Sequence, residues 1–208
     1  MFMRSLRSLW QLVVAGILIL CLTIVYLYFG PTLPDFTPGN FYSYFTIQSN
    51  ILTATYFVWA AVFSWRRHPS QLQQRDSIRS MLILYMGITT SVYWLVLHRF
   101  IKIEDFAARE ANMALHWLAF TALLVDSLWD RPSTRLAQKT VWLWLVYPII
   151  YSLYTLVRGL LYGWYPYPFI DVNRLGYPLV GLITVVMGFA YWWAARLVIA
   201  GHNRLQRR

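Results

Sequence analysis

Cysteine, acidic residues and charge in general are all scarce in this chain of 208 residues. The single cysteine, Cys21, excludes an intrachain disulfide framework and a thiolate metal site. Only 12% of the residues are charged, against about 25% in a soluble domain, which excludes an ordinary water-soluble fold. Histidine occurs four times, at His68, His98, His116 and His202, with no His-x-x-x-His pair, so no metal or haem centre is expected. No internal repeat supports an inverted-repeat transporter plan.

What the chain has instead is apolar length. Apolar residues make up 59%, and the mean hydropathy is +0.47. Six hydrophobic segments, at residues 10–29, 44–65, 79–98, 112–129, 141–160 and 176–199, each approach the roughly 20 residues needed to cross a bilayer. The expected fold class is all-α: one polytopic domain over residues 1–208, with six transmembrane helices in a single bundle. The basic start followed by a long apolar run reads as a retained signal-anchor helix. Pro148 is expected to kink the fifth span.

The net charge of +10 is unevenly placed. With the amino terminus inside, the inner segments hold Arg4, Arg7, Arg66, Arg67, Arg75, Arg79, Arg131, Arg135, Lys139, Arg196, Arg204, Arg207 and Arg208, which is 13 of the 18 basic residues. The outer segments hold Arg99, Lys102, Arg109, Arg158 and Arg174. That asymmetry is the positive-inside pattern and predicts both termini in the cytoplasm. The basicity is therefore topological, and no recognition motif points to nucleic acid. Aromatic belts are expected at Trp10, Trp65, Trp129 and Trp142 on the inner side, and at Tyr42, Tyr44, Trp164, Tyr165, Tyr167 and Tyr177 on the outer side.

Polar groups inside such spans are costly and mark candidate sites. Thr46 falls about four residues into the second span and His116 about five into the fourth, roughly 6 and 7.5 Å below the outer surface. A hydroxyl and an imidazole at one level suggest acyl transfer, with threonine as nucleophile and histidine as base. Gln48 and Asn50 are placed to supply hydrogen-bond donors. Asn112, at i−4 from His116, shares its helix face and is placed to orient the ring. Asp171 is on the correct side for a third, acidic member, and Arg158 for anchoring a substrate carboxylate. Each also has a structural role open to it: back-bonding for Thr46, helix-to-helix contact for His116, snorkelling for Arg158 and capping for Asp171.

The segment Phe41-Tyr42-Ser43-Tyr44-Phe45-Thr46-Ile47-Gln48-Ser49-Asn50, the Leu115-His116-Trp117 opening of a span that ends in Asp126, and Tyr165-Pro166-Tyr167-Pro168-Phe169-Ile170-Asp171-Val172 occur in that order. In these motifs, in length and in span number, the chain resembles the bacterial branch of the androgen-inducible multi-pass membrane protein family. The animal members are threonine hydrolases of fatty acid esters of hydroxy fatty acids. By position, the resemblance places their threonine on Thr46 and their histidine on His116, with Ser43 and Ser49 as substitute hydroxyls. It implies a cofactor-free hydrolase in a bacterial inner membrane, acting on a lipidic ester. A non-enzymatic membrane protein that binds or transports a lipid or small solute is the alternative.

Overall fold

A computed structural model describes residues 2–32, 36–63, 69–99 and 101–206. Trp65, Arg66, Arg67 and His68, together with Arg207 and Arg208, lie outside the described residues, as do Leu33, Pro34 and Asp35 of the first loop. The described chain is all-α, with helices α1 (Phe2–Thr32), α2 (Pro38–Phe41), α3 (Phe45–Phe63), α4 (Pro69–Val92), α5 (Phe106–Trp129), α6 (Thr140–Tyr162) and α7 (Val172–Leu205). A π-helical turn, Tyr93–Leu97, continues α4, and a 3₁₀ turn, Pro168–Ile170, precedes α7.

Among the described residues, five helices are long and apolar enough to cross a membrane: α1, α4 with its π turn, α5, α6 and α7. The segment read as the second of six spans folds as α3 but is not among them. Its first turns carry Thr46, Gln48, Ser49 and Asn50, which dilute its apolarity.

Local signals explain the boundaries. Asp105 caps α5 by accepting from Ala108 N at 2.7 Å, so that helix starts six residues before the span read from hydropathy. Thr37 caps α2, with Pro38 at its first position. Helix α6 ends at Gly163, whose φ of 67° is the left-handed cap that glycine provides. It runs on through Pro148 as one helix, and α7 carries non-helical backbone at Gly176, φ 75°.

Helix α1 packs on α3 and α5, α4 on α3, α5 and α7, and α6 on α7. At the end that gathers both termini, a buried ionic cluster ties these helices together. Fully buried Asp126 accepts from Arg7 Nε and Nη2 (both 3.0 Å), Gln11 (2.8 Å), Tyr56 (3.3 Å) and Arg79 (3.1 Å). Asp76 pairs with Arg75 and Arg79 and accepts from Ser133 N and Thr134 N. Asp130 pairs with Arg7 and Arg75. Three guanidiniums face three carboxylates, so the buried charge is compensated. Nearby, His202 bridges Ser80 Oγ (2.7 Å) and Thr134 O (2.8 Å).

Candidate functional site

At the opposite end, residues 39–48 descend into the bundle along one face of α6. Arg158 Nη2 donates to Asn40 Oδ1 at 2.6 Å. Tyr154 Oη lies 2.7 Å from Ser43 Oγ, and Tyr151 Oη donates to Ser43 O at 2.9 Å. Tyr147 then donates to Gln48 Oε1. Residues 158, 154, 151 and 147 recur every three or four positions, one stripe of a helix, so this segment is read off against α6 turn by turn.

The descent carries Thr46 deeper than its sequence position indicates. Its neighbour Phe45 is held by Tyr151, eleven residues from the end of α6 at Tyr162, or roughly 16 Å. His116 stands ten residues from the start of α5, about 15 Å. Measured from these helix ends, both stand well beyond the roughly 6 and 7.5 Å read from the sequence. The difference arises because α5 begins at Phe106 and residues 36–44 fold inward.

Helix α3 therefore starts inside the bundle, where its first N–H groups have no intrahelical partner. Phenols satisfy them: Phe45 N donates to Tyr151 Oη at 3.2 Å and Thr46 N to Tyr167 Oη at 3.3 Å. Tyr167 Oη is also 3.5 Å from Thr46 Oγ1. Tyr167 comes from the loop before α7, its ring edge-on to Tyr44 and stacked on Phe169. Tyr44 and Tyr167 are thus turned onto the start of α3 rather than out to an interfacial belt. The loop is seated at Gly159, where any Cβ would overlap the Tyr165 ring.

Thr46 and Tyr167 line a largely apolar cavity of about 270 Å³ bounded by α3, α4, α6 and α7. Most hydroxyls on its wall are committed to carbonyls: Thr89 to Tyr85 O, Ser152 to Pro148 O, Thr155 to Ser152 O, Thr184 to Val180 O and Tyr151 to Ser43 O. Among the described residues, the hydroxyls of Thr46, Tyr167 and Tyr191 are the wall hydroxyls that donate to no backbone carbonyl.

His116 is 3% exposed and does not line this cavity. Its ring stacks on Tyr93 of the π turn, centroids 3.6 Å apart and 8° from parallel. Its Nδ1 is buried with no hydrogen-bond partner, and its carbonyl accepts from Thr90. Where α4 passes into the π turn, Thr89 and Val92 face the cavity and Thr90 and Tyr93 meet His116. No hydrogen bond joins the imidazole to Thr46 Oγ1; the polar group beside that oxygen is Tyr167.

The supporting residues divide. Asn50 Nδ2 donates to Thr46 O (2.8 Å) and to Leu115 O (2.9 Å), joining the nucleophile's helix to the residue before His116, while its Oδ1 is buried and unpartnered. Gln48 is occupied by Tyr42 O and Tyr147. Asn112 donates to Tyr93 Oη at 3.2 Å, so it fixes the ring stacked on His116 rather than His116 itself. Arg158 lies under Tyr162 and Trp164, bound to Asn40, away from the cavity wall. Asp171 caps α7 through Asn173 N and Arg174 N, and so does not reach Thr46 or His116. Ser49 is fully buried and donates to Thr46 O, and Ser43 donates to Gly39 O. The sequence marks Tyr167 only as an interface aromatic and gives no sign of Tyr93, because neither contact is local in the chain. Among the described residues no three His, Cys, Asp or Glu group as metal ligands.

No family model, curated protein or solved structure matches the chain.

Proposed function

We propose that this chain is an intramembrane hydrolase of a lipidic ester, of the kind that joins a fatty acid to a hydroxy fatty acid, with Thr46 as nucleophile and His116 as base. The single observation that carries the reading is the Thr46 hydroxyl on the wall of an apolar cavity, where it meets the Tyr167 phenol and no backbone carbonyl. Such a cavity holds an acyl chain by burial alone, and it would set the ester carbon beside Oγ1.

In the reaction, Thr46 Oγ1 bonds to the ester carbonyl carbon while its proton passes to His116. The tetrahedral intermediate collapses, and the leaving alkoxide takes that proton. Water then attacks the acyl-threonine with His116 again as base, releasing the acid and restoring the hydroxyl. The step needs the imidazole within about 3 Å of Oγ1 or linked to it by one water. His116 therefore has to leave its stack on Tyr93 or recruit water. The partner is a lipid ester, and the chemistry calls for no cofactor.

The setting belongs to the same proposal. All six long helices cross a bacterial inner membrane, α3 included, as in the androgen-inducible family. The end with the ionic cluster and both termini faces the cytoplasm, following the excess of arginine there. Substrate enters from the outer leaflet. A second reading, binding or transport of a lipid without chemistry, is favoured by the seat of His116 off the cavity wall.

The test is hydrolysis of a p-nitrophenyl ester of a medium-chain fatty acid by the purified protein in detergent. Turnover that disappears in both Thr46→Ala and His116→Ala is expected. Turnover that survives Thr46→Ala removes the hydrolase reading. Tight retention of the ester without release of nitrophenol supports the binding reading.

A further inference from the structure

The Tyr167 phenol is the side chain that meets Thr46 at both ends, its oxygen 3.3 Å from the backbone N and 3.5 Å from Oγ1. We propose that Tyr167 is a catalytic residue, whose hydroxyl donates the hydrogen bond that stabilises the oxyanion formed when Thr46 attacks an ester carbonyl. This rests on the hydrolase reading of Thr46 and adds to it a residue and a role.

The hydrogen-bond inventory of the cavity leads to this assignment. Tyr167 Oη accepts from Thr46 N, which uses a lone pair, and its proton is donated to no backbone carbonyl, its partner at Thr46 being the 3.5 Å contact with Oγ1 itself. The neighbouring Tyr151 proton is already committed to Ser43 O. An ester carbonyl brought up to Oγ1 from the cavity would meet the Tyr167 proton as the nearest available donor. The ring is not free to swing away, because Tyr44 and Phe169 hold it on two sides.

Two further features suit a developing negative charge. Burial pushes the Tyr167 phenol above its ordinary value, so it keeps its proton and acts as a donor rather than as a base. The start of α3 also lies at this point, within the bundle, and contributes the positive end of a 19-residue helix. Its N–H groups at Phe45 and Thr46 rest on neutral phenol oxygens, an arrangement in which an oxyanion finds aligned dipoles without reorganising solvent.

The electron balance is simple. As the Oγ1–carbon bond forms, the carbonyl π pair moves onto the carbonyl oxygen, which accepts the Tyr167 hydrogen bond. The Thr46 proton goes to His116, and the phenol loses none. On collapse the pair returns to carbon and the alkoxide leaves with the proton from His116.

The experiment uses the full chain in detergent with a p-nitrophenyl decanoate probe. Tyr167→Phe, which keeps the ring, is expected to lower kcat by about 100- to 1,000-fold, the usual loss for one oxyanion donor, with KM within about threefold of wild type. To separate chemistry from folding, 3,5-difluorotyrosine at position 167 retains the hydroxyl but lowers its pKa. It should retain folding and bring the alkaline loss of kcat to lower pH. Two outcomes overturn the inference alone while Thr46→Ala still abolishes turnover: a Tyr167→Phe enzyme within about threefold of wild-type kcat, or an unshifted pH profile for the fluorinated protein. If Thr46→Ala leaves turnover intact, the hydrolase reading fails and this inference falls with it.

Discussion

The side-chain amide of Asn50 reaches across from α3 to the backbone carbonyl of Leu115 on α5, 2.9 Å away, while also holding the carbonyl of Thr46 one turn above it. One buried side chain thereby fixes the level of the candidate nucleophile against the helix that carries His116.

Replacing Asn50 with leucine keeps the volume and removes both bonds. Each buried hydrogen bond contributes about 1 kcal/mol net, so Asn50→Leu should lower thermal stability by about 1–2 kcal/mol. It should reduce ester turnover more than that loss of folded protein accounts for. Thermal unfolding followed by tryptophan fluorescence, alongside turnover, checks this. An unchanged melting temperature would show that Asn50 does not hold the two helices together.

The ionic cluster gives a larger effect. Asp126 is fully buried and shared by Arg7, Arg79, Gln11 and Tyr56. Asp126→Ala leaves two guanidiniums without that partner, a change that typically costs 3–5 kcal/mol in buried pairs. The melting temperature should drop steeply, and adding Arg79→Leu to the same chain should recover part of it. A double variant no more stable than Asp126→Ala would contradict an uncompensated charge as the cause.

Asp130 predicts an acid limit. Burial works against its ionisation, but Arg7, Arg75 and Arg79 outweigh it and hold the carboxyl below its ordinary value of 3.8. A folded value below the unfolded one stabilises the fold at all pH above about 3.8, and that stabilisation is lost as pH falls through the lower, folded value. The stability that Asp130 adds over Asp130→Asn should therefore be constant between pH 5 and 7, and below about pH 4 the unfolding midpoint should fall more steeply in wild type than in Asp130→Asn. Parallel acid limbs for the two proteins would refute the assignment.

Much of this was legible in the sequence, for physical reasons that can be named. Long apolar runs show where helices lie: four of the six segments fall inside a long helix, residues 79–98 match α4 and its π turn to within one residue, and α3 covers residues 45–63 of the second segment. Depth was harder to read, because hydropathy places a boundary at the last charged residue, whereas Asp105 capping extends α5 upward and residues 36–44 fold inward. The arginines of the termini end look like topology signals in sequence. Their second role, as partners of Asp76, Asp126 and Asp130, depends largely on contacts between distant residues, Arg7 with Asp126 and Asp130 and Arg75 with Asp130. Tyrosines are the clearest case. Tyr167 reads as a span-end aromatic and Tyr93 as one apolar residue of a span, and only the packed bundle turns Tyr93 onto His116 and Tyr167 onto Thr46.

Cavity length should set which acyl chains are accepted. Gly188 lies on the cavity wall, and a Cβ built there meets nothing within 4 Å. Gly188→Phe should fill that space and lower turnover of long-chain p-nitrophenyl esters about tenfold or more relative to short-chain ones, the scale on which a few methylenes discriminate. Equal effects on all chain lengths would mean that the acyl group does not occupy this cavity.

The most direct measurement is covalent labelling with a fluorophosphonate probe, read by mass spectrometry of the labelled peptide. Wild-type protein in detergent is expected to carry the adduct on Thr46, and Thr46→Ala is expected to carry none. An adduct on another hydroxyl, or equal labelling of the two proteins, would contradict Thr46 as the nucleophile.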